Sequence, residues 1–175
     1  MFWSMVSELN QLSDSRYAQI KEAIRKRQPG GMRVAIALEA GRLLLDEGRA
    51  REAAERLLSA TRADALARAD TVDLAGLRAR LAAAEGRGEE ALAAADEAVA
   101  TAALSDSPLL RATAALDRAR VLASLGAPAR ADAEARRAEE HFSDKGHLPG
   151  VRAARTLPVG LVAVRARTTT TEKAS

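Results

Sequence analysis

The stretch "LAAAEGRGEEALAAADEAVA", residues 81–100, decides the fold, because alanine-rich runs flank Gly86 on both sides. Alanine, leucine, glutamate and arginine favour helices, and a glycine that follows a helical run typically ends it. The segment therefore predicts two helices joined by a short turn. A glycine-rich phosphate loop is the competing interpretation of "EGRGEE", but such a loop follows a strand and is completed by a lysine and a Ser/Thr. Here Glu89 and Glu90 follow, and their charge would repel an anion.

The same pattern recurs around Gly48 and Gly126, which lie 38 residues before and 40 residues after Gly86. Alignment on the three glycines brings small or apolar residues into columns five, nine and twelve positions later. These are Ala53, Ala91 and Ala131; Leu57, Ala95 and Ala135; and Ala60, Ala98 and Ala138. Steps of four and three place the columns on one helix face. A repeat period of this length is typical of helical solenoids.

The predicted units are three helix pairs and a cap helix: 32–47 with 50–66, 71–85 with 88–103, 108–125 with 128–143, then 148–157. Asp70 or Thr71 is the expected N-cap of the second pair, and Ser107 with Pro108 starts the third. Pro128 and Pro149 are expected at the first helical position of their helices. Residues 1–28 predict a separate amphipathic helical segment, and 158–175 a disordered polar tail.

Composition agrees with an all-α chain. Alanine makes up roughly a quarter of the 175 residues and aromatic residues only 2%, whereas strands favour aromatic and β-branched side chains. There is no cysteine, which excludes disulfides and thiolate chemistry. The net charge is +3 with both signs interspersed, unlike the basic face of a duplex-binding protein. Because no membrane-length segment or signal peptide is recognised, a cytoplasmic protein without membrane association is expected.

With these columns the chain resembles the tetratricopeptide repeat (TPR) family. Gly41, Ala79 and Ala119 stand where the family has a small residue in the first helix, and the turn glycines and following alanines match. The family's tryptophan, tyrosine and terminal proline are absent, and each period is about four to six residues longer than usual. The run "LRARLAAAEGRGEEALAAADEAVA", residues 77–100, the segment that follows it and the preference for arginine over lysine also resemble the C-terminal repeats of large actinobacterial signalling proteins. Both resemblances imply an α/α solenoid that binds proteins in a regulatory or scaffolding role, with no enzyme activity and no cofactor.

Conventional catalytic or metal-binding groups are few. The carboxylates Glu85, Glu89, Glu90, Asp96 and Glu97 are better interpreted as a solvated helix face than as a metal or acid–base site, since no histidine lies near. His141 and His147 flank Asp144, and a helix C-cap is favoured over a metal role. The sequence therefore predicts no catalytic, cofactor or metal site.

Three arginines in one column are the best candidates for partner binding. Arg42, Arg80 and Arg120 each follow the small residue of a first helix, whereas Arg78 and Arg118 should point elsewhere. A row of guanidinium groups suits the carboxylates of an acidic peptide, and pairing with Asp46, Asp73 or Asp117 of a neighbouring unit is the alternative.

The N-terminal segment offers two further candidates. Phe2 and Trp3 are apolar anchors, either for a partner or self-association or as a cap on the first repeat. The basic segment 21–33 is the basis of an alternative function, a nucleic-acid-associated regulator fragment, although stacking aromatics are nearly absent.

Overall fold

The computed structural model describes residues 32–61 and 66–157, and these residues form seven α-helices and no strand. We number them in chain order: α1 (Met32–Asp46), α2 (Ala50–Thr61), α3 (Arg68–Ala84), α4 (Gly88–Ala103), α5 (Pro108–Ser124), α6 (Pro128–Asp144) and α7 (Leu148–Arg155). The all-α prediction is confirmed for this part of the chain. No helix among these residues is long and apolar enough to cross a membrane.

Glycine closes each first helix in the same way. Gly48, Gly86 and Gly126 have φ of 75°, 78° and 75°, a region that L side chains rarely adopt. The residue after each glycine donates its N–H to a carbonyl five positions earlier, as from Arg87 to Ala82 at 2.8 Å. This hydrogen bond is the one that defines a Schellman helix end. Gly146 repeats the conformation between α6 and α7, with φ 63°.

The helices pack as pairs. The contacts within pairs join α1 to α2, α3 to α4 and α5 to α6, and α7 packs mainly on α6. The first helices of the pairs are also neighbours, because α1 contacts α3 and α3 contacts α5. We call α1–α2, α3–α4 and α5–α6 the first, second and third pairs.

The predicted columns form the buried faces of these pairs. All nine column residues after the turn glycines are 5% exposed or less, including Ala53, Ala91 and Ala131 at 0%. The small residues of the first helices are buried as well. A Cβ on Gly41 would lie 2.8 Å from Leu57 Cδ2, so the Leu57 side chain packs directly against the glycine and would have to shift to admit an alanine. Small side chains therefore set the short distances between helices.

Two expectations about helix starts were wrong. Helix α3 begins at Arg68 rather than at residue 71, and Asp70 lies inside its first turn, where its charge suits the helix dipole. Thr71 does not cap the helix, because its hydroxyl donates to the Ala67 carbonyl at 3.2 Å. Helix α7 begins one residue before Pro149. Ser107 does cap α5, and its Oγ accepts from the Leu110 N–H at 3.4 Å.

Candidate functional site

The arginine column converges on one aspartate. Arg42, Arg80 and Arg120 project from α1, α3 and α5, and all three reach the Asp117 side chain of α5, which is 1% exposed. Arg42 Nη1 donates to Asp117 Oδ2 at 3.2 Å, and Arg120 Nη1 donates to Oδ1 at 2.9 Å. Arg80 Nη1 lies 3.5 Å from the same Oδ1 as an ion pair. One carboxylate thus joins first helices from all three pairs.

Two of the arginines have a second carboxylate. Arg42 Nη2 donates to Asp73 Oδ1 at 3.3 Å, and Arg80 Nη2 donates to Asp46 Oδ1 at 2.6 Å. Both aspartates were named from the sequence as possible partners of the arginine column within the chain. Arg42 therefore donates from both terminal nitrogens. Arg80 lies near two carboxylates, but its buried Nη1 makes no hydrogen bond to any described residue. The column is not an open row of cations. Arg78 is exposed, and Arg118 pairs with Asp96 and Glu134 on the second helices, so both point elsewhere as predicted.

The pKa values reflect this sharing. Burial opposes the charge of Asp117, but the three arginines hold the pKa of its carboxyl below the usual value. Burial also opposes the charge of Arg42, yet Asp117 and Asp73 together raise its pKa. For Arg120 burial dominates, and with Asp117 shared and Arg80 and Arg42 nearby its pKa is lowered. Within the described part of the chain, Arg120 pairs with one carboxylate, whereas Arg42 and Arg80 each pair with two.

Gly76 provides the room for this arrangement. It lies in α3, between α1 and α5, and a Cβ at this position would lie 2.8 Å from Asp117 Oδ2 and 3.3 Å from its Cβ. A side chain here would displace the carboxylate. Gly76 was not among the predicted site residues, because an isolated glycine inside a helical run does not show which side chain it lies against.

A groove with a volume of about 610 Å³ opens beside the column. Its charged part is formed by α1, α3 and α5, and its apolar part by α5, α6 and α7. The lining residues are Glu39, Arg42, Asp73, Thr113, Leu116, Arg120, Phe142, His147, Pro149, Gly150 and Ala153. The residues of α7 were not among the predicted site residues, because their position depends on how the cap helix folds back.

Arg120 presents free donors to this groove. Its Nη1 binds Asp117, and among the residues that the structure describes its other N–H groups have no hydrogen-bond partner. Its side chain is 22% exposed and lines the groove. A carboxylate entering the groove would find a forked donor here.

His147 lies in the same groove but not as a C-cap. It is the N-cap of α7, where its Nδ1 accepts from the Gly150 N–H at 3.1 Å. His147 also stacks on Phe142, with ring centroids 5.2 Å apart. His141 lies in the last turn of α6, as its predicted role near the helix end requires.

Two carboxylates beside Gly86 have structural partners. Glu85 and Glu90 both pair with Arg87, and Glu47 and Glu52 repeat the arrangement with Arg49 at the first turn. Within the ranges 32–61 and 66–157, no group of three or more histidine or acidic side chains is arranged to hold a metal ion.

Several predicted features lie outside the described residues. These are Phe2 and Trp3, the helical segment 1–28, the basic segment 21–31 and the tail 158–175.

Comparison with protein-family models, with curated proteins and with solved structures finds no match for the chain. Among the described residues, the arginine column, Asp117 and the groove form the candidate site.

Proposed function

We propose that this chain is a non-catalytic protein-binding module, a TPR-like α/α solenoid with a regulatory or scaffolding role, that takes a short acidic peptide segment in its groove. The observation that carries the proposal is Arg120, a partly exposed guanidinium with free donors on the groove wall. The contacts of α1 with α3 and of α3 with α5 are those expected of stacked helix pairs.

The peptide chemistry follows from the two parts of the groove. One carboxylate of the peptide would bind Arg120, and a neighbouring aliphatic side chain would lie against Leu116, Phe142 and Pro149. Arg42 and Arg80 support the site indirectly, because they fix the Asp117 carboxylate to which Arg120 is bound. In this proposal Arg120 is the one arginine of the predicted three that contacts the peptide directly.

The experiment measures binding of two labelled peptides by fluorescence anisotropy. One alternates glutamate and leucine, and the other has glutamine in place of glutamate. We expect the glutamate peptide to bind more tightly than the glutamine peptide. Arg120→Gln should lower the affinity for the glutamate peptide about 10-fold or more, because hydrogen bonds to charged groups contribute about 1.5–3 kcal/mol.

The matched control is Arg78→Gln, which removes an exposed arginine that the column does not include. Circular dichroism should show unchanged helicity for both variants. Equal binding of the two peptides, or no binding of either, would refute the proposal. The nucleic-acid alternative stays a prediction about segment 21–33, and it requires salt-sensitive retention on a polyanion column.

A further inference from the structure

The hydrogen bond from Arg42 to Asp117 joins two helix pairs that are not adjacent. It spans 75 residues, from α1 of the first pair to α5 of the third. In an array where each unit contacts only its neighbours, a terminal unit can open without disturbing the unit beyond the next one. A bond that passes over the second pair removes that independence.

Gly76 makes this long-range bond sterically accessible. The hydrogen that replaces a side chain at Gly76 leaves space for Asp117 Oδ2, the oxygen that Arg42 binds. The second pair contributes Arg80 to the other oxygen. The carboxylate therefore receives one group from each pair, at a position that water does not reach.

We propose that Asp117 is an interlock that couples opening of the first pair to the third. When α1 moves away, Arg42 leaves, and a buried carboxylate loses one of its two hydrogen bonds. The negative charge of Asp117 is then less well balanced, which destabilises α5 even though α5 belongs to the third pair. Since Arg42 and Arg120 also line the groove, the interlock holds two of its walls at a fixed separation.

The test is amide hydrogen exchange, followed by mass spectrometry, on the full chain. Arg42→Met removes the long-range bond and leaves Arg80 and Arg120 on Asp117. We expect exchange to become about 10- to 100-fold faster in α1 and also in α5, as the loss of a charge-assisted hydrogen bond requires.

The matched control is Asp73→Asn, which alters the bond of Arg42 to its neighbouring pair and retains the bond to Asp117. This variant should leave exchange in α5 unchanged. Gly76→Ala keeps every charge but displaces the carboxylate, so it should reproduce the response of α5 even if Arg42→Met does not fold. If Arg42→Met and Gly76→Ala both accelerate exchange only in the first and second pairs, the proposed coupling to the third pair is refuted. Because this readout needs no peptide, it is independent of the proposed function.

Discussion

Replacing Asp117 with asparagine tests whether the shared carboxylate stabilises the fold. The side chain is 1% exposed, and its oxygens bind Arg42 at 3.2 Å and Arg120 at 2.9 Å, with Arg80 at 3.5 Å. Asparagine keeps the shape but removes the charge, so three largely buried guanidinium groups lose their common counter-ion. Removing one partner of a buried ion pair costs about 3–5 kcal/mol. That is a large fraction of the roughly 5–15 kcal/mol that stabilises a typical domain.

Urea unfolding followed by circular dichroism gives the free energy of unfolding directly. Thermal unfolding should show a decrease in Tm of roughly 6–20 °C, from about 2–4 °C for each kcal/mol in a chain of this size. The control is Asp96→Asn, whose side chain is 57% exposed and pairs with Arg118 at 2.8 Å. An exposed pair contributes at most about 1 kcal/mol. If Asp117→Asn costs no more than Asp96→Asn, the carboxylate is not the centre of the network, and the reasoning fails.

Two further predictions concern the same network. Gly76→Ala should raise stability by about 1 kcal/mol on helix propensity alone. Because the added Cβ lies 2.8 Å from Asp117 Oδ2, overpacking should cost about 1–3 kcal/mol, and we expect a net loss of up to about 2 kcal/mol in urea unfolding. A net gain would show that the carboxylate moves aside without cost. The second prediction is a pH dependence. Because the folded-state pKa of Asp117 is lowered, its stabilising contribution is complete above the unfolded-state pKa of about 3.9 and is lost as the pH falls through the lower folded value. Unfolding measured from pH 6 to pH 2 should show a steeper loss for the wild type than for Asp117→Asn, and parallel curves would contradict this assignment.

Much of the fold could be predicted from the sequence, because the repeat shows directly in the residue pattern. The glycines at 48, 86 and 126 mark where helices end, and the alanine columns mark the faces that become buried. Both signals are local or periodic. The start of α3 was missed because Asp70 and Thr71 resemble a cap, and a cap residue is not distinguishable in sequence from an acid in the first turn.

The site was less predictable, because it depends on contacts between distant residues. The arginine column could be recognised from the spacing, and Asp46, Asp73 and Asp117 could be named as examples of possible partners. The sharing of Asp117 by all three arginines could not, since it depends on α1 and α5 approaching each other past Gly76. The spare donors of Arg120 follow from the same geometry, and so does the contribution of α7 to the groove.

The alanine columns also determine how the chain tolerates mutation. At each of the nine buried positions a larger side chain would have to push two helices apart, whereas the exposed positions between them accept most residues. A complete substitution scan should therefore show peaks of intolerance that return with the repeat, first after 38 residues and then after 40. Such a profile would reveal the internal repeat through its tolerance to substitution, even at aligned positions where the residues differ, as Leu57 differs from Ala95 and Ala135.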